Sequence, residues 1–76
     1  MQVPGFKRGD VVRSSDGSVL GVVLAVAQYT DDPAAHELHV DVRGEGVGIW
    51  SPNEAALAND TASVAEARRL GLRGLD

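Results

Sequence analysis

Hydrophobic positions along this chain fall into short runs divided by turn formers, and where a period can be counted it is two. The clearest case is HELHVDVR, His36 to Arg43, in which Leu38, Val40 and Val42 alternate with Glu37, His39, Asp41 and Arg43. That alternation predicts a β-strand with one face in the core and the other toward solvent. Upstream, DVVRSSDGSVLGVVLAVA (Asp10 to Ala27) holds two β-branched runs around Ser14-Ser15-Asp16-Gly17. Asp16-Gly17 in such a setting predicts a hairpin turn, since glycine takes positive φ without steric cost. The first strand is then Val11, Val12 and Arg13, and the second runs from about Val19 to Tyr29. In the second, Val22, Leu24 and Val26 face one way and Val23, Ala25 and Ala27 the other. A strand apolar on both sides needs cover on both. Gly21 is the candidate bend or bulge in it. A helix over residues 19–28 fits less well, because it would open on β-branched residues, contain Gly21 and lack a polar face.

Beyond a loop at Thr30 to Ala35, interrupted by Pro33, the His36–Arg43 strand leads into a Gly44-Glu45-Gly46 turn. Val47 to Trp50 can pair back as a fourth strand. Ser51-Pro52-Asn53-Glu54 has the residues of a capping box with proline at the first helical position, predicting a brief helix from about Pro52 to Ala58. Asn59-Asp60-Thr61 interrupts it. Asp60 or Thr61 then caps a second helix through Ala62 to Leu70, stopped by Gly71. Arg68 and Arg69 fall in its last turn, where the helix dipole favours cations. Leu72 to Asp76 is expected to be loose. The expected organisation is a lead-in over residues 1–5, a β-domain over 6–58 with Phe6 plugging one end of its core, and a helix and tail over 59–76.

Composition narrows this. Seventy-six residues make one domain with a small core, burying roughly 60–65% of its unfolded surface. The absence of cysteine excludes a disulfide staple, a thiolate metal site and a cysteine nucleophile. The first ten residues contain no apolar run of signal-peptide type, and Val19 to Ala27 is too short to span a bilayer. A cytoplasmic protein with no membrane partner is expected. Seven Lys and Arg stand against eleven Asp and Glu, a net charge of −4. An acidic domain must concentrate its few cations to hold phosphates, which argues against nucleic acid.

The words Phe6-Lys7-Arg8-Gly9-Asp10-Val11-Val12-Arg13, Asp16-Gly17 and Leu20-Gly21-Val22-Val23 together resemble the opening of SH3-like small β-barrels. Similar patterns occur in KOW-type domains of transcription and ribosomal proteins, in PRC-barrel domains and in the β-subunit barrel of nitrile hydratases. The Asp16-to-Val23 spacing looks closest to the PRC-barrel hairpin. The resemblance covers residues 6–58 and implies an SH3-like barrel of four to five antiparallel strands with one or two short C-terminal helices. It implies a binding module more often than an enzyme, although fold does not dictate function. Ala62 to Asp76 belongs to none of these patterns.

No catalytic, metal or cofactor signature stands out. His36 and His39, three apart on a strand, point to opposite faces and do not share a metal readily. Asp31-Asp32 is a solvated loop pair, and Gly44-x-Gly46-x-Gly48 lacks the strand-to-helix context of a phosphate loop. The candidate binding residues are Tyr29 and Trp50, of the type that dominates interaction hot spots, and a tail in which Leu70, Leu72 and Leu75 are interleaved with Arg68, Arg69 and Arg73. Trp50 can equally pack in the core, and the leucines can lie against the barrel. The leading expectation is a non-catalytic module binding another protein or a second copy of itself. A KOW-type nucleic-acid reading requires Lys7, Arg8, Arg13 and Arg43 on one face. A small-molecule or enzymatic reading requires a pocket of Trp50, Tyr29 and a histidine.

Overall fold

A computed structural model describes residues 6–27, 36–43 and 46–75. Five antiparallel strands, β1 (Val11–Ser14), β2 (Leu20–Ala27), β3 (Glu37–Val42), β4 (Gly46–Trp50) and β5 (Ala55–Leu57), form one sheet in the order β4-β3-β2-β1-β5. One helix, α1 (Thr61–Arg69), follows. The predicted helix from Pro52 to Ala58 survives only as a 3-10 turn at Pro52–Glu54, with the Ser51 hydroxyl accepting from the Asn53 amide at 3.3 Å. After that turn, Ala55–Leu57 pairs with β1 instead of continuing the helix.

This turn dictates the shape of the sheet. β4 and β5 lie at opposite edges, yet only residues 51–54 separate them. A flat sheet of this width would measure about 19 Å between its outer strands, from four spacings of about 4.8 Å. A connection wound into a 3-10 turn rises only about 2 Å per residue, too little to span that distance. The sheet therefore curls. No ladder joins β4 to β5 among the described residues, so the curl stops short of a closed barrel.

Each side of the curled sheet holds its own core. On the concave side Val12, Val23, Leu38, Val40 and Val42 cluster, rimmed by Phe6, Val19, Val26, Trp50 and Ala55. On the convex side Val11, Leu20 and Val22 pack with Ala58, Ala67 and Leu72 from the C-terminal segment. The largest fully buried side chains are Leu38 and five valines, all on β1, β2 and β3. Each contributes about 1.5–3 kcal/mol on leaving water.

Two details of β2 fit it to this double role. Val23 pairs with Val40 but Ala25 pairs with His39, so Leu24 is an extra residue and a bulge lies there, three residues beyond the expected Gly21. The bulge reverses the alternation. Val26 thereby joins Val23 on the concave side, not Val22 as simple alternation predicts. Gly21 itself is in regular register with Val12 and Val42. Its role is to give room: a Cβ there would collide with Val40 Cγ1 and press on the Asp41 carbonyl at 3.2 Å.

The β1–β2 turn is built on Asp16. Its Oδ1 accepts from the Ser14 hydroxyl at 2.6 Å, the Ser18 amide at 3.0 Å and the Ser18 hydroxyl at 2.7 Å. These bonds, the Ser14 one foremost, lower the carboxyl pKa from 3.8 to about 2. At the head of α1 the Asp60 side chain accepts from the Ser63 amide at 3.1 Å, which lowers its pKa as well.

Gly21→Ala should cost about 1–3 kcal/mol through overpacking, read from urea unfolding, and should cost less in a Val40→Ala background, the difference being read by a double-mutant cycle. An unchanged midpoint would refute the close approach. Because the folded pKa of Asp16 is depressed, its ionised form stabilises the fold above pH of about 4, and that contribution fades as pH falls toward about 2. The stability gap between the protein and Asp16→Ala should accordingly be largest at neutral pH and close in acid. A gap independent of pH would contradict the turn chemistry.

Candidate functional site

The C-terminal segment is a structural layer. α1 ends in paired bonds, the Gly71 amide to the Arg68 carbonyl and the Leu72 amide to the Ala67 carbonyl, each at 3.1 Å. This reversal requires positive φ at Gly71, which stands at +75°. It swings Leu72 under the helix into the convex core, where Leu70 and Leu75 also pack. Rather than trailing loosely, the chain crosses β3: the Arg73 amide donates to Asp41 Oδ2 at 2.7 Å. Asp41, expected on a solvent face, is consequently buried. Arg68 and Arg69 remain exposed, Arg69 reaching Glu66 at 3.6 Å.

The aromatic candidates separate. Trp50 is half-buried, packs on the concave core and lies opposite Leu38 on β3. Tyr29 lies outside the described residues. His36 is buried just ahead of β3, and His39 on β3 has a buried Nε2 without a hydrogen bond among the described residues. Neither Trp50 nor a histidine lines the cleft bordered by Arg13, Leu20, Arg43 and Leu70.

Lys7, Arg8, Arg13 and Arg43 fall into two pairs. Lys7 bonds Asp10 through its backbone amide at 2.9 Å and its Nζ at 3.2 Å, and Asn59 Nδ2 donates to the same carboxylate at 3.2 Å. Arg8 is its exposed neighbour. Arg13, at the opposite end of β1, donates through Nη2 to Ser63 Oγ at 3.3 Å and Glu66 Oε2 at 3.4 Å. Arg43 borders the same depression as Arg13.

Sequence reasoning missed the most exposed apolar element. Val47 and Ile49 on edge strand β4 are 52% and 60% exposed. They lie opposite Asp41 and His39 on β3, with Ala25 exposed beyond His39. Gly48 and Trp50 occupy the other face of β4, so the pattern Val-Gly-Ile-Trp carries apolar groups on both sides. That was the available signal, since the core claims only the Trp50 side. β4 also contains no charged residue, the usual guard of an exposed edge. No helix among the described residues is long and apolar enough to cross a membrane. Comparison of the chain with protein-family models, with curated proteins and with solved structures finds no match.

Proposed function

We propose that this chain is a non-catalytic interaction module whose contact surface is the β4 edge, and that a second copy of the chain is its partner. The observation that carries the reading is the uncharged edge strand with Val47 and Ile49 exposed on its outer face. An unpaired edge offers backbone N–H and C=O groups to another strand. β4 is self-complementary in this respect. Two antiparallel copies centred on Gly48 bring Val47 of each opposite Ile49 of the other, an isologous contact repeated by the two-fold axis.

We infer also that the curled sheet is an SH3-like barrel left open between β4 and β5. The strand order, the long bulged β2 and the 3-10 turn before the last strand support this reading. A nucleic-acid role draws less support, because Lys7 and Arg8 sit at one end of β1 and Arg13 and Arg43 at the other.

Size-exclusion chromatography with light scattering over a concentration series tests the interface. The expected result is a concentration-dependent dimer that Ile49→Lys converts to a folded monomer, its thermal unfolding matching that of the unsubstituted protein at dilutions where that protein is monomeric. A monomer at every concentration, or a dimer indifferent to Ile49→Lys, would overturn the proposal.

A further inference from the structure

At the far end of the sheet from Lys7, two arginines flank Leu20. Arg13 is its cross-strand partner on β1, and since Gly21 pairs with Val42, Arg43 falls beside it from the β3 side. Two interstrand spacings, about 10 Å, separate the two backbones, within reach of two long side chains converging on one ion. Together with Ser18, Glu66 and Leu70 they border an open cleft of about 600 Å³.

Most of the guanidinium donors here lack a partner among the described residues. Arg43 is exposed and makes no hydrogen bond or ion pair among the described residues. Arg13 is held only through Nη2, which fixes its position against α1 and leaves Nε and Nη1 without a partner among the described residues. A tethered guanidinium has already lost much of the side-chain freedom that binding would otherwise cost. In a chain of net charge −4, this cleft is lined by two cations and one carboxylate. Glu66 also bears on the class of ligand: shared between Arg13 at 3.4 Å and Arg69 at 3.6 Å, its carboxylate stands at the edge of the cleft, where it repels a dianion more than a singly charged ligand. Leu20 and Leu70 offer an apolar wall beside the charges.

We propose that the cleft binds a small organic monocarboxylate, its carboxylate between Arg13 and Arg43 and its apolar body against Leu20 and Leu70. The planar fork of guanidinium suits a carboxylate. This site is independent of the β4 edge and stands or falls without it.

Proton–nitrogen correlation spectra of the full chain, titrated separately with hexanoate, hexyl phosphate and hexanol, test the assignment. Hexanoate should produce saturable shifts centred on the amides of Leu20, Val42, Arg43 and Leu70. Arg43→Gln should weaken that binding about tenfold, the loss of one charge-assisted pair, while leaving the rest of the spectrum unchanged because Arg43 is exposed. Equal binding of hexanol would reduce the cleft to an apolar contact, and tighter binding of hexyl phosphate would reverse the charge argument. Either result would overturn the proposal, as would the absence of saturable shifts or an Arg43→Gln protein that binds hexanoate as before.

Discussion

Everything in this fold follows from the fact that β2 is apolar on both faces. Val22 and Val23 are adjacent, both are fully buried, and they belong to different cores. A chain of 76 residues cannot afford two separate covering layers. It covers the concave face with the sheet itself, by curling, and the convex face with α1 and the residues that follow. Gly21 permits the first by letting Val40 close over the strand. The Leu24 bulge adjusts the phase so that Val26 completes the concave core. Asp41 secures the second by taking the Arg73 amide across β3.

The same economy explains where surface is left uncovered. α1 has nine residues, a length of about 13.5 Å at 1.5 Å per residue. It lies against β1 and β2, and the C-terminal crossing reaches Asp41 on β3. Among the described residues nothing extends to the outer face of β4, and Val47 and Ile49 stay exposed there. Toward the Arg13 end of β1 the apolar contact between helix and strand gives way to the Arg13–Glu66 pair. A polar cleft is left between them and Arg43. Both surfaces are what a small, incomplete convex layer leaves behind.

Much of the fold could be read from residue order, because its signals are local. The Asp16-Gly17 turn, the alternation in Leu38-Val40-Val42, the Asp60 cap and the Gly71 stop each act within a few residues of themselves. Three features resisted, each for a non-local reason. The bulge at Leu24 depends on which residues of β3 lie opposite, which β2 alone does not encode. The strand at Ala55–Leu57 arises because β1 offers an unpaired edge, and this overrides the helix-start chemistry of Ser51 to Glu54. Asp41 alternates as a solvent residue and is buried only because a segment 32 positions away crosses it. The candidate surfaces were legible only in part. The tail leucines stood out in the sequence but pack inward, whereas Val47 and Ile49 looked like ordinary strand residues until β4 proved to be an edge.

The central claim is that the C-terminal segment is a layer of the fold. Native-state amide hydrogen exchange at Leu72 and Arg73 tests it directly, since their protons are donated to the Ala67 carbonyl at 3.1 Å and to Asp41 Oδ2 at 2.7 Å. Protection approaching that of Val23 in the sheet core, lost only with global unfolding, is the predicted result. Exchange at the rate of an unstructured peptide while Val23 stays protected would contradict it.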